Sequence, residues 1–193
     1  MPVEMPAIPG NVRTAFVEGL DDFLWTKPEL VAKIKKFPGA IQGLPVYTLT
    51  LHNLQSREGA GPAVHAGWRL FFRGKNDEET VAADIARILR NPAPTMTSLL
   101  QGARLAKAID AAQSILDREE FQKSDGYEAR LLRIPSLNVE VLWLNAKAPG
   151  LTSQFFPIVS GLKFFSPMER FGLNDFFSLA EDIASRPEYA NFQ

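Results

Sequence analysis

The sequence predicts an α+β fold: an antiparallel sheet of about four to six strands with helices packed on it. Three observations lead there. From Leu137 to Leu144, Leu137, Val139, Val141 and Trp143 fall on one side and Asn138 and Glu140 on the other, until Leu142 and Leu144 make both sides apolar. That pattern marks a strand covered on both faces. Segments 46–52 and 66–73 are rich in β-branched and aromatic residues, which suit a pleated surface. Other stretches repeat apolar residues at helical spacing.

Residues 1–10 contain three prolines and a glycine and are expected to form an extended arm, with residues 11–193 as a single globular domain. Val12, Phe16, Leu20, Phe23 and Leu24 recur at helical spacing, and Asn11 can cap the start. Thr26 and Glu29 make a capping-box spacing before Leu30, Val31 and Ile34, and Pro38-Gly39 ends that helix. Strands at 46–52 and 66–73 flank a loop, residues 53–65, longer than most hairpin connections. Asn76 and Glu79 read as a second capping box before a helix whose apolar face is Val81, Ile85, Ile88 and Leu89. Asn91-Pro92 breaks it, and a longer helix is expected over 97–120. Residues 127–134 and 137–144 read as two strands or as one long strand bent at Pro135. Another over 154–159 holds Pro157, which calls for a sheet edge or a bulge. Gly172 opens a last helix, with Phe171 able to staple on Phe176 and Asp175 placed to favour the N-terminal dipole. Its buried face is read as Leu173, Phe176, Phe177, Ala180, Ile183 and Ala184. The order strand, loop, strand, helix occurs at 46–91 and again at 137–186, so two ββα units are an alternative arrangement.

The 193 residues are 46% hydrophobic and 22% charged, with a formal net charge of -1. This is an ordinary globular composition, and it argues against a dedicated nucleic-acid binder, which usually carries a basic excess. The chain has no cysteine, which excludes thiol nucleophiles, disulfides and cysteine-ligated metals. The first ten residues lack the basic and apolar regions of a signal peptide. No apolar run approaches the roughly 18 residues needed to span a bilayer. A cytoplasmic protein is the expectation.

Arg133-Ile134-Pro135, Leu137, Val139, Leu142-Trp143-Leu144, Phe156-Pro157-Ile158, and Phe171 with Phe176 carry a resemblance. The segment from about 127 to 184 resembles a group of uncharacterised bacterial proteins. In that group a strand of the form R-I/V-P-x-L-x-V-x-x-L-W-L precedes a proline-containing strand and a helix opened by an aromatic residue. The resemblance implies a structural unit and no particular activity.

His52 and His65 are the only histidines and flank the 53–65 loop. With a carboxylate such as Glu58 they would supply three zinc ligands, but no metalloprotease-like spacing supports a metal site. No G-x-S-x-G elbow and no phosphate loop is present. No cofactor is therefore expected. The phenylalanine pairs Phe71-Phe72, Phe155-Phe156, Phe164-Phe165 and Phe176-Phe177 raise a different expectation. Adjacent residues on a strand or loop point opposite ways, so Phe71, Phe155, Phe164 and Phe165 are candidates for an adhesive surface. The leading reading is a non-enzymatic protein-binding or assembly protein, with a protein partner or homo-oligomer. The alternative is a small-molecule-binding protein or enzyme with its site near the 53–65 loop, using His52, His65 and Arg69.

Overall fold

The computed structural model describes residues 3–55, 63–87, 93–123 and 126–187. In chain order the elements are α1 (Gly10–Phe23), α2 (Pro28–Lys36), β1 (Ile41–Thr48), α3 (Leu51–Gln55), β2 (Val64–Phe72), β3 (Val81–Arg87) and β4 (Pro94–Gln101). Then come α4 (Ala103–Leu116), α5 (Glu119–Gln122), β5 (Tyr127–Ile134), β6 (Val139–Ala146), β7 (Gln154–Ser160), β8 (Phe171–Gly172) and α6 (Leu173–Ala184). The strand order is β4-β3-β2-β1-β5-β6-β7-β8. Eight strands among the described residues exceed the expected four to six. The sheet is mostly antiparallel, but β1 and β5 run parallel, with Val46 opposite Leu131.

The chain divides into two compact units. The first comprises described residues within 6–45 and 66–109, the second those within 3–5, 46–65 and 110–187. In the first unit, α1 and α2 bring Val12, Phe16, Leu20, Leu30, Val31 and Ile34 against Leu70, Phe72, Val81, Ala83, Ile85 and Met96 of the strands. Helix α1 begins at Gly10 with Pro9 rather than Asn11 at its cap. Helix α2 begins at Pro28, and neither Thr26 nor any other side chain caps it. Proline at a first helical position has its φ preset and lacks an N–H that would otherwise go unpaired. Phe23, expected on the buried stripe, is exposed.

One predicted helix of this unit is a strand, and the first residues of the expected 97–120 helix belong to another strand, while α4 and α5 form the rest of it. Asn76 does accept a hydrogen bond from the Glu79 N–H at 2.9 Å, but the cap opens only a 3₁₀ turn over Asp77–Glu79. Residues 81–87 then extend as β3. Val81 and Ile85 fit a helix period, yet Val81, Ala83 and Ile85 also alternate, and the alanines between them carry no periodic signal. Residues 94–101 form β4 rather than the start of a long helix. Gly102, with φ +98°, separates this strand from α4, a conformation glycine adopts without a Cβ clash. The ββα repeat is overturned by the same finding, because residues 81–87 of its first expected helix are strand; Ile88 and Leu89 of that face lie outside the described residues.

In the second unit, α3 and α6 cover one face of β5, β6 and β7. Leu132, Ile134, Val139, Val141, Trp143 and Phe155 pack there with Leu51, Leu54, Phe176, Phe177, Ala180 and Ile183. Leu142, Leu144 and Phe156 are buried on the opposite face. The tryptophan-bearing strand is thus covered on both sides over 141–144. Leu137 and Asn138 lie in the turn before it, and Asn138 adopts a left-handed conformation, φ 51°. Pro157 sits where the register jumps from Glu140 opposite Val159 to Val141 opposite Pro157, so the missing N–H is absorbed by a bulge. Helix α6 has Gly172 at its cap, and the Phe171 and Phe176 rings lie 6.2 Å apart across it. Leu173, expected to be buried, faces water.

Candidate functional site

His52 lies exposed on α3, and His65 exposed near the start of β2. The His65 ring meets Tyr47 at 5.4 Å. Residues 56–62 of the expected ligand loop, including Glu58, lie outside the described residues. Among those described, no three His, Asp or Glu side chains are grouped to hold a metal ion.

Arg69 is engaged elsewhere. On β2 it stands opposite Asp84 of β3. Its Nε donates to Asp84 Oδ1 at 2.8 Å and its Nη2 to Oδ2 at 3.1 Å. The Ser98 hydroxyl donates to the same carboxylate at 3.0 Å. This two-toothed pair is nearly buried, a geometry that orients a guanidinium firmly. It ties β2 to β3.

Of the four phenylalanines expected at a surface, Phe155 and Phe165 are fully buried in the second core. Phe71 is half-buried. Only Phe164 is exposed, and the Arg186 guanidinium lies over its ring at 4.4 Å.

A charged aromatic cluster sits in the second unit. The Arg130 guanidinium lies 4.7 Å from the Tyr47 ring and 4.9 Å from that of Trp143. Arg130 donates to Glu128 at 2.7 Å, and Lys147 donates to the same carboxylate at 2.9 Å. Lys147 also lies 3.6 Å from Glu4. Burial pushes the Glu128 carboxyl up, but the hydrogen bonds from Lys147 and Arg130 more than reverse this, so it titrates below its ordinary value. Glu128 in turn, helped by Glu4, holds the Lys147 amine above its own ordinary value. The backbone reinforces the contact. The Glu4 N–H donates to the Tyr127 carbonyl at 2.8 Å, and the Glu4 carbonyl accepts from the Ala129 N–H at 2.9 Å. These charges are mutually neutralised, so the cluster acts as a clamp for the N-terminal segment. In the first unit, Glu79 is likewise held below the usual carboxylate range by hydrogen bonds from Lys33 and the Lys75 backbone.

The feature that sequence reasoning missed is the turn between α1 and α2. Leu24 is buried there, its N–H bonded to Leu20. Its neighbours Phe23 and Trp25 are consequently turned outward, and Trp25 is 77% exposed. Lys27 in the same turn donates to the Gln101 side chain at 3.3 Å. That bond brings the turn beside the C-terminal end of β4, where Leu100 is also exposed. The available signal was Phe23-Leu24-Trp25 itself: three consecutive large apolar residues cannot all face one core.

No protein-family model, curated protein or solved structure matches this chain.

Proposed function

We propose that this chain is a non-enzymatic binding protein that docks another protein surface on the Phe23–Trp25 turn. The observation carrying the reading is the exposure of Trp25 beside Phe23. Apolar surface in water costs about 25 cal/mol per Å², and tryptophan is among the residues most often found as interface anchors. Lys27 lies in the same turn and Lys35 pairs with Asp21, two residues before Phe23, giving the apolar patch the polar border usual at such interfaces. A small-molecule site at His52, His65 and Arg69 has weaker support, since Asp84 already occupies the Arg69 guanidinium.

The test compares full-length chain with a Phe23→Ser/Trp25→Ala variant in affinity isolation, using a differently tagged copy of the chain and a cell extract as sources of partner. The unaltered chain is expected to retain one species in fixed stoichiometry, and the variant to lose it with unchanged circular dichroism. A chain that retains nothing, or a variant that binds as well, overturns the proposal.

A further inference from the structure

We infer that residues 3–5 form a strap that covers one stretch of the β5 edge and detaches from it while the sheet stays folded. The inference goes beyond the binding reading and does not depend on it, since it concerns the second unit alone. Strand β6 pairs with all eight residues of β5 on one side. On the other side β1 is in register with β5 from Val46 opposite Leu131 to Thr48 opposite Arg133. Residues 127–129 precede that stretch, and there Glu4 takes the place of β1 as a parallel bridge opposite Glu128. A bare sheet edge presents unpaired N–H and C=O groups, which proteins keep covered. The strap is the cover.

Its hold is slight. The bridge consists of the two backbone hydrogen bonds that Glu4 makes with Tyr127 and Ala129. In a parallel ladder the next donor on that side would be residue 6. That residue is Pro6, which has no N–H to give. Val3 is buried, whereas Met5 is exposed. The Glu4 side chain is 61% exposed where it stands 3.6 Å from Lys147. A single hydrogen bond adds little net stability, and an exposed ion pair adds less. Ordering three residues costs conformational entropy of similar size.

Release strands no charge. The Glu128 carboxylate keeps its bonds from Arg130 at 2.7 Å and Lys147 at 2.9 Å, so only the outer contact with Glu4 is lost. Strand β5 stays anchored by β1 and β6, with Ala129, Leu131, Leu132 and Ile134 buried. Segments with few buried contacts open at much lower free energy than the core they rest on. Opening bares the Tyr127 carbonyl and the Ala129 N–H, so the strap governs when this part of the edge is presented.

Amide hydrogen exchange of the full chain, followed with increasing denaturant below the unfolding transition, tests this. Ala129 reports the strap. Leu131, two residues on and facing the same side, reports the sheet. In the unaltered chain Ala129 is expected to be less protected than Leu131 by about tenfold or more. Its exchange should depend only weakly on denaturant, because little surface is exposed when three residues lift away, whereas that of Leu131 should follow global unfolding. Glu4→Pro removes the N–H that bonds Tyr127. It is expected to bring Ala129 within about tenfold of an unprotected amide while Leu131 stays protected. An Ala129 amide as protected as Leu131, with the same denaturant slope, overturns the inference without recourse to any variant. A Glu4→Pro chain in which Leu131 also loses its protection overturns it too, because the strap would then be part of the cooperative sheet.

Discussion

Arg69 shows how a side chain can be conspicuous in sequence and differently employed in the fold. An arginine alternating with Trp68, Leu70 and Phe72 reads as the polar side of a strand, open to a ligand. Its partner Asp84 lies 15 positions on, within a segment whose spacing reads as helix, so the pair was invisible before the strands were aligned. Removing one member of a buried ion pair leaves the other uncompensated and costs about 3–5 kcal/mol, whereas replacing both with apolar residues is often neutral. Arg69→Ala is therefore expected to lower unfolding stability by about 3 kcal/mol in a denaturant titration. Arg69→Met/Asp84→Leu should recover most of that loss. The phenylalanine pairs teach a related lesson. Alternation does send Phe155 and Phe156 to opposite faces of β7, yet both are fully buried because both faces are covered. Phe164 and Phe165 lie in a loop and divide, one outward and one inward.

Among elements, β5, β6, β7 and α6 were legible because their signals agree. Strand β6 shows two-residue alternation with β-branched residues, and α6 combines an N-cap glycine, an acidic first turn and a helical apolar stripe. Strands β3 and β4 were not legible. In β3, alanines at positions 82, 83 and 86 leave too few informative side chains to separate a period of two from 3.6. In β4, the threonines argued for a strand, but the apolar run around Leu99 merged with the helix beyond Gly102. Helix α6 also yields a clean contrast. The Phe176 ring stacks on Phe155 at 4.9 Å and meets Phe165 and Phe177 at 5.4 and 5.2 Å. Phe176→Ala should cost about 3–5 kcal/mol by opening a cavity among those rings. Leu173→Ala, one turn earlier on the wet side, should change stability by less than about 0.5 kcal/mol. Equal losses at the two positions in thermal melts would contradict this assignment of faces.

At the scale of the whole molecule, each unit holds its own apolar core, and β1 threads both, with residues 41–45 in one and 46–48 in the other. The pH dependence of folding is expected to carry the mark of the Glu4–Lys147–Glu128 clamp. Glu128 is lowered from an ordinary 4.5, so its contribution is complete above that value and fades as pH falls through the lowered one. Lys147 is raised from 10.5, so its contribution is complete below that value and fades as pH rises through the raised one. Stability from the clamp therefore forms a plateau between the two ordinary values. Melting temperatures across this range should fall at both ends, and Glu128→Gln should lower the plateau and flatten its acid side. An acid limb unchanged in that variant would show that other carboxylates dominate.

Taken alone, the amino-acid order determined the α+β class, the doubly covered Trp143 strand, the need for an edge or a bulge at Pro157 and the closing helix with its glycine cap. All of these are local: they follow from side-chain period and backbone chemistry within about ten residues. Tertiary structure alone decided the strand count, the parallel join of β1 to β5, the pairing of Arg69 with Asp84 and the outward turn of Phe23 and Trp25. Those depend on which distant segments become neighbours. Burial and hydrogen bonding between remote residues outweigh local preference wherever the local signal is divided.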